Sequence, residues 1–421
     1  MTRVLVTDAG RGSGMSIIRS LGRRGIQVIA ADTNPRSPGF FSRYAAERFV
    51  YPLSASDGRA TVDALVRAAR EREIDLFIPV GETVVALVSG ARERFAGVTT
   101  LALPAPDALE VTRDKFATVE LANRLGVPTP RTLLVRTASE AVAAAADFRW
   151  PVVLKPQASR SVGSAGTIDR FGVAYAGDEA ALERQMSAFE GRCAVLLQEY
   201  CEGEARGVAL LMDRGKPLLA FEYRRLREVP YTGGPSSLRE SVELDVTRFD
   251  YSVRLLEALD WTGPAMVEFK VAPAGARLME INGRLWGSLA LAVKSGVDFP
   301  GRMVELFLSP PTEPAPSPDL AYEIGVRLRD LELELTWIAS VLARRPAHGL
   351  LAAPRRREAL AAALGLLDPR GGFDVQSVHD PLPGLVHIGG LAAKLRRRRT
   401  HAVNGSAAVG RAQAKVNSSS P

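Results

Sequence analysis

Apolar positions in the first 110 residues alternate between short continuous runs and runs of helical spacing. The continuous runs predict strands at residues 3–7, 27–31 and 74–80, and the helical spacing predicts helices at residues 15–24 and 60–73. Strands that alternate with helices are typical of a parallel sheet flanked by helices. We therefore expect residues 1–110 to form an N-terminal parallel α/β domain.

The pattern changes after residue 110, where longer strands are joined by turns. Runs at 208–212 and 217–223 flank Asp213-Arg214-Gly215-Lys216, and this arrangement predicts a β-hairpin. Further along, apolar spacing predicts a helix at 331–343. We expect, in order, a second domain of α+β class, a proline-rich linker, a helical or mixed segment and a disordered basic tail, at residues 111–308, 309–320, 321–395 and 396–421.

Composition narrows the class of protein. Hydrophobic residues make up 46% of the chain and charged residues 24%, as in soluble globular enzymes. The two cysteines, Cys193 and Cys201, are too few for a disulfide framework and indicate a reducing compartment. The chain starts directly on a strand pattern, and no apolar run approaches the roughly 20 residues that cross a bilayer. We expect a cytoplasmic protein without a secretory signal.

The net charge of +7 belongs to one end of the sequence. No acidic residue follows Asp380, and the basic residues after it equal the whole net charge: Lys394, Arg396, Arg397, Arg398, Arg399, Arg411 and Lys415. The remainder is formally neutral, which argues against a nucleic-acid-binding face. Two interpretations of the tail stay open, namely a solvated terminus and peripheral contact with the anionic inner surface of a membrane.

A glycine-rich turn follows the first predicted strand. Gly10, Gly12 and Gly14 are spaced G-x-G-x-G, and Asp32 ends the second strand, where an acidic residue would bind a ribose in a dinucleotide site. The third glycine comes one residue too early for that fingerprint, and any tight strand-to-helix turn favours glycine. A structural turn and an NAD site are therefore the two interpretations.

The second domain carries four chemical elements in a fixed order. The first is a lysine at the start of a predicted helix, and the second is a lysine at the end of an apolar strand that precedes a small-residue loop at 158–166. The third is a strand that leads into a glycine-containing turn, and the fourth is a pair of strands that carry carboxylates. The residues concerned are Lys115, Lys155, the stretch Gln198-Glu199-Tyr200 with Gly203, Glu268, Glu280, Asn282 and Arg284.

Nucleotide chemistry explains this set. Lysine supplies a compact positive charge for phosphates, and backbone N–H groups of a small-residue loop can close over them. Mg²⁺ prefers oxygen ligands from one or two carboxylates and phosphates. Glu280 and Asn282 are two apart on a predicted strand and share a face, and Glu268 joins them if its strand pairs with theirs.

These motifs resemble those of the ATP-grasp superfamily. The most specific are Val153-Leu154-Lys155-Pro156, the hinge stretch at 198–203, and Glu280-Ile281-Asn282-Gly283-Arg284. The resemblance implies a two-lobed ATP-grasp domain over 111–308 and makes residues 1–110 the α/β domain that precedes one. It also implies ATP and Mg²⁺, with Mn²⁺ as an alternative metal.

The resemblance implies a role for each residue. Lys115, Lys155 and the loop residues Ser161 and Gly163 would contact phosphates, and Glu199, Tyr200 and Cys201 would contact adenine. Glu204, with Glu202 as the alternative, would bind the ribose. Glu268, Glu280 and Asn282 would bind Mg²⁺, and Arg284 together with Lys155 would stabilise the transferring phosphoryl group.

The stretch 224–241 is similar to carbamoyl-phosphate-synthase-like members of the superfamily. Its glycine and serine content predicts a mobile loop in which Arg239 and Ser237 contact the substrate, with a solvated surface loop as the alternative. The expected function is an ATP- and Mg²⁺-dependent ligase that joins a small-molecule carboxylate to an amine. A non-catalytic nucleotide-binding scaffold and an NAD-dependent oxidoreductase are the alternatives.

Overall fold

The computed structural model describes residues 1–53, 58–158, 160–162, 168–170, 172–309, 318–343, 353–368, 371–394 and 396. Within these residues, four β-sheets organise the chain. Among the helices of the same ranges, none combines the length and the apolar character that a bilayer span requires.

The first sheet is parallel, with strand order β3-β2-β1-β4-β5. Its strands are β1 (Arg3–Val6), β2 (Gln27–Asp32), β3 (Glu47–Val50), β4 (Leu76–Ile78) and β5 (Thr100–Leu101). The connecting helices are α1 (Gly12–Arg23), α2 (Gly58–Glu71), α3 (Glu82–Gly90) and α4 (Pro106–Arg113). Val4, Leu5 and Val6 are all completely buried, as in strands covered on both faces. The predicted parallel α/β domain is confirmed, although β3 and α3 had no sequence prediction.

A small lobe follows α5 (Lys115–Arg124). Its antiparallel sheet has the order β10-β7-β11-β6, and it has its own apolar core. The elements are β6 (Thr132–Val135), α6 (Ala138–Ala145), β7 (Val152–Pro156), the hairpin strands β8 (Arg160–Val162) and β9 (Ile168–Arg170), β10 (Ala174–Ala176), α7 (Glu179–Met186) and β11 (Val195–Glu199).

The large sheet has the order β16-β15-β12-β13-β14-β17-β18. The elements up to residue 308 are β12 (Glu204–Asp213), β13 (Lys216–Glu228), β14 (Ser236–Ser241), α8 (Val246–Glu257), β15 (Gly263–Ala272), β16 (Gly275–Asn282), α9 (Leu289–Lys294) and α10 (Phe299–Leu308). The predicted hairpin is confirmed: Asp213 pairs with Lys216, and Arg214 and Gly215 have the positive φ angles that such a two-residue turn requires.

The C-terminal segment adds to this sheet. It contributes β17 (Arg327–Arg329), α11 (Leu331–Leu342), α12 (Arg356–Gly365), β18 (Gly372–Phe373) and a helix at 381–394. The helix predicted at 331–343 is confirmed as α11. By contrast, the expectation of a loop over the stretch up to residue 241 is wrong, because residues 236–241 form strand β14 between β13 and β17. Most of the proline-rich linker and of the basic tail lies outside the described residues.

Candidate functional site

A cleft of about 480 Å³ separates the small lobe from the large sheet. The small lobe contributes Val153, Lys155, Tyr175 and the hinge after β11, and the large sheet contributes the side chains of β13, β15 and β16. Predicted site residues that line it are Lys155, Glu199, Tyr200, Cys201, Glu268, Glu280, Asn282, Arg284 and Arg239. Most of the predicted constellation therefore meets in one cleft.

Local hydrogen bonds join the two lysine-bearing elements. Asp114 caps α5 by accepting from the N–H groups of Phe116 and Ala117, and it also accepts from Gln157 Nε2 at 2.6 Å. The backbone N–H of Lys115 donates to the Gln157 carbonyl at 3.0 Å. These bonds fix the start of α5 against the end of β7, which carries Lys155. Two lysines that are 40 positions apart in sequence therefore approach the same carboxylate, Glu280.

The two candidate metal carboxylates are opposed across a strand pair. Glu268 on β15 is the direct partner of Glu280 on β16, and Asn282 Nδ2 donates to Glu280 Oε1 at 3.1 Å. The condition under which Glu268 joins Glu280 and Asn282 is met, because β15 pairs with β16. Two carboxylates and one amide therefore share a patch in the cleft wall.

The electrostatic surroundings of these groups differ. Burial raises the pKa of Glu268 even though Arg225 opposes the shift. For Glu280, the charges of Lys115 and Lys155 outweigh burial and lower the pKa of the carboxyl. Burial lowers the pKa of Lys155, against the attraction of Glu280 and Glu268.

A chain of charges that sequence reasoning missed lies beside this patch. The Arg225 guanidinium pairs with Glu268 and lies 3.1 Å from Glu228, and Glu228 lies 3.8 Å from the ammonium of Lys270. All four side chains line the cleft. Strand alternation could have predicted that these side chains face the cleft. Glu268 and Lys270 are two apart on β15 and therefore share a face, and Arg225 and Tyr223 are two apart on β13 and share a face in the same way.

The hinge forms the opposite end of the cleft. Glu199 ends β11 and lies 3.0 Å from Arg277, whose guanidinium also contacts Cys201 Sγ at 3.3 Å. The rings of Tyr200 and Tyr175 meet edge to face at 6.3 Å. The three residues predicted to contact adenine therefore lie together at the cleft, and their role in nucleotide binding stays a prediction.

Glu204 does not lie where the sequence predicted it. Its carboxylate pairs with Arg206 at 3.1 Å rather than lining the cleft. The register explains this, because Gly207 pairs with Glu268, and the residues of β12 that share the cleft face are therefore the odd-numbered ones. Glu202, the alternative, is exposed. Glu228 is the acidic side chain that lines the cleft next to Lys270, whose ammonium donates to the Gly203 carbonyl at 3.4 Å.

Arg284 lies between two cavities. A smaller one of about 100 Å³ is bounded by Lys115, Arg113 and Glu82, and shares Glu280, Asn282 and Arg284 with the main cleft. Arg284 Nη2 lies 3.9 Å from Glu82 at the start of α3, so the N-terminal domain contributes to this cavity.

The two predicted substrate residues are buried in the large sheet. Arg239 is only 2% exposed, and although it backs the cleft, its guanidinium pairs with Asp374 of the C-terminal segment. Ser237 is completely buried on β14. A strand inside the large sheet leaves both side chains without the accessibility that the loop prediction assumed. Of the predicted loop residues, Ser161 belongs to strand β8, and Gly163 lies outside the described residues.

The donor set fits a divalent cation bound together with a nucleotide. No group of three or more His, Cys, Asp or Glu side chains suitable for a metal occurs in the described ranges. Mg²⁺ needs only one or two carboxylates when phosphate oxygens complete its shell. Glu268, Glu280 and Asn282 supply such a partial set of oxygen donors.

The glycine-rich turn of the first domain is covered by other residues. Asp32 accepts hydrogen bonds from Gly10 N and Ser37 Oγ, both at 2.8 Å. A Cβ on Gly12 would lie 2.6 Å from Asp374 Cβ, so the C-terminal segment packs directly on the start of α1. The turn is a packing site, and this favours the structural interpretation over a dinucleotide site.

Comparison with known proteins agrees with this architecture. The family described as ATP-grasp in the biosynthetic pathway with Ter operon matches residues 192–327. The carbamoyl phosphate synthase large chain of Micrococcus luteus is 27% identical over 302 residues, which cover 67% of this chain and 26% of that protein. The formate-dependent phosphoribosylglycinamide formyltransferase of Burkholderia mallei is 33% identical over 162 residues, covering 38% of this chain and 37% of that protein. The chain thus matches well under two thirds of the length of either relative.

Solved structures show the same fold. The biotin carboxylase domain of Hydrogenobacter thermophilus 2-oxoglutarate carboxylase, solved with MgADP, ADP and bicarbonate, aligns with a TM-score of 0.60 at 20% identity. The alignment covers 77% of this chain and 73% of that domain. The resemblance predicted from the motifs is confirmed, and the fold is that of these solved structures, with an N-terminal α/β domain followed by an ATP-grasp domain.

Proposed function

We propose that the protein is an ATP- and Mg²⁺-dependent ligase that activates a substrate carboxylate as an acyl phosphate and joins it to an amine or similar nucleophile, releasing ADP and phosphate. The supporting observation is the opposed pair Glu268 and Glu280, with Asn282 beside them and Lys155 within their electrostatic reach. Cations suited to phosphates meet oxygen donors suited to a divalent cation at this point.

The reaction has two steps. An oxygen of the substrate carboxylate attacks the γ-phosphorus of ATP, and the bond to the bridging oxygen breaks with its electron pair leaving on ADP. The amine nitrogen then attacks the acyl carbon, phosphate leaves with the carbon–oxygen electron pair, and the nitrogen loses a proton. Lys115, Lys155 and Arg284 would offset the charge on the moving phosphoryl oxygens.

Glu268, Glu280 and Asn282 would hold the metal. Bound there, Mg²⁺ would supply positive charge that offsets the negative charge of the phosphates. Manganese has the same preference for oxygen ligands and is the alternative. Arg225 pairs with Glu268 within the cleft, and Glu228 would remain as a carboxylate partner of Arg225 if Glu268 held the metal.

The nucleotide would lie along the same cleft. Glu199, Tyr200 and Cys201 would contact adenine, and the loop with Ser161 and Gly163 would close over the phosphates. For the ribose we propose Glu228 in place of Glu204, since a carboxylate accepts hydrogen bonds from sugar hydroxyls and Glu228 lines the cleft 3.8 Å from Lys270, whose ammonium also contacts the hinge carbonyl of Gly203. Small-molecule substrates and a cytoplasmic location are part of the proposal.

The test is Mg²⁺-dependent release of ADP and phosphate from ATP in the presence of pools of amino acids, sugar acids and other carboxylates, with and without amines. The proposal expects release that depends on one carboxylate and is lost in Lys155→Ala. Tight ATP binding with no stimulation by any pool would favour the scaffold alternative. Binding of NAD to the first domain would favour the oxidoreductase.

A further inference from the structure

The helix at 381–394 presents an outward face without polar side chains. Leu382, Leu385 and Ile388 are 56%, 63% and 48% exposed. The other exposed positions before Lys394 are Pro381, Gly389, Gly390, Ala392 and Ala393. Leu382, Leu385 and Ile388 follow one another at intervals of three, which places them on one side of a helix.

The opposite side of the helix fixes this orientation. Pro383 and Gly384 are buried, and His387 Nδ1 lies 2.9 Å from Gln376 Nε2. At the end of the helix, the ammonium of Lys394 pairs with Glu332 on α11. The helix is therefore attached to the folded body by its polar and buried side, and its leucines point outward.

The charge of the sequence around this face favours one kind of partner. No Asp or Glu follows Asp380, whereas Lys394 and four consecutive arginines at 396–399 come directly after the apolar face. An apolar face that continues into cations is typical of helices that lie in the headgroup region of an anionic bilayer. A second copy of the chain would bring the same cations toward each other, which disfavours a dimer through this face.

We infer that helix 381–394 is a docking surface for an anionic lipid membrane, with Leu382, Leu385 and Ile388 at the acyl boundary. This inference concerns the location of the protein and does not depend on the proposed ligase activity.

Flotation of the full chain with lipid vesicles tests the surface. The wild-type protein should float with vesicles that contain phosphatidylglycerol, but not with pure phosphatidylcholine vesicles, and added salt should weaken binding because it screens charge. Leu385→Glu should reduce the partition coefficient by on the order of tenfold. Val246→Glu is the matched control, because Val246 is 79% exposed on α8 and the charge change is identical; it should bind like the wild type.

Each other result overturns the inference. If the wild-type protein does not bind anionic vesicles, the inference is wrong. If Leu385→Glu binds as well as the wild type, the inference is also wrong, because the charges of the tail alone would then account for the binding. Light scattering of the free protein tests whether a second copy of the chain binds this face instead. If the wild type is a dimer that does not bind vesicles, and Leu385→Glu is a monomer, the face is a dimer interface. Circular dichroism and thermal unfolding of each variant confirm that it is folded.

Discussion

Glu268 and Glu280 are direct cross-strand partners on β15 and β16, so that the fold holds two carboxylates against each other in the cleft wall. Like charges in such positions destabilise a strand pair. The two carboxylates have different surroundings. Burial raises the pKa of Glu268, whereas at Glu280 the charges of Lys115 and Lys155 oppose the effect of burial and the pKa is lowered. The folded protein therefore disfavours one ionised carboxylate and favours the other.

Glu268→Gln and Glu280→Gln should change stability in opposite directions. At pH values above its raised pKa, the ionised Glu268 reduces the free energy of unfolding, so Glu268→Gln should increase it there. Glu280, whose pKa is lowered, contributes stability above its ordinary pKa, so Glu280→Gln should decrease it. We expect about 1 kcal/mol in each case, measured by urea unfolding in the presence of a chelator.

Activity provides the control for this pair. Both variants should lose Mg²⁺-dependent ATP turnover, since each removes a candidate metal oxygen. Two changes in stability of the same sign would contradict the electrostatic account, and normal turnover in Glu280→Gln would contradict the metal assignment.

Lys155→Met should reduce kcat/KM for ATP by about 100-fold to 1000-fold, the usual loss when one preorganised charge on a transferring group is removed. The aliphatic side chain keeps most of the buried volume, so the fold should persist. Steady-state kinetics with saturating Mg²⁺ measure the effect. Lys216→Met, on the exposed end of the β12–β13 hairpin, is the control and should behave like the wild type. Comparable kinetics in the two variants would remove Lys155 from the reaction.

Glu228→Gln should remove much of the preference for the natural ribose. The wild type should bind ATP more tightly than 2′,3′-dideoxy-ATP by roughly tenfold, as expected for hydrogen bonds to a charged group. In Glu228→Gln this ratio should approach unity, as measured by isothermal titration calorimetry of both nucleotides. Glu204→Gln should keep the wild-type ratio, because Glu204 pairs with Arg206 away from the cleft. The reverse result would restore Glu204 as the ribose contact.

Asp374 should make stability fall as pH rises. Burial raises the pKa of this carboxyl to about 6, against the opposing charge of Arg239. A raised folded pKa means that the folded state binds the proton more tightly. The stabilising contribution is therefore complete below the ordinary pKa of 3.8 and is lost as pH rises through about 6.

Asp374→Asn tests this contribution. The difference in unfolding free energy, wild type minus variant, should decrease by on the order of 2–3 kcal/mol between about pH 4 and about pH 7. Asp147→Asn, at a side chain that is 73% exposed, is the matched control for the substitution itself. A difference for Asp374→Asn that does not change with pH would contradict the raised pKa.

The sequence by itself determined the local features of this protein. Periodicity identified the parallel α/β domain, the turn chemistry of Arg214 and Gly215 identified the hairpin, and alternation placed Glu280 and Asn282 on one face. These features depend on neighbours within a few residues, where side-chain direction follows directly from helix or strand geometry. The motifs and their order were enough to indicate the ATP-grasp fold.

Only the tertiary structure decided which long-range partners meet. Strand register put Gly207 opposite Glu268 and so turned Glu204 away from the cleft. The insertion of β14 between β13 and β17 buried Arg239 against Asp374, which is 135 positions away in sequence. Neither result follows from local pattern, because a one-residue change of register reverses the face of every side chain on a strand, and the register is set by packing across the whole sheet.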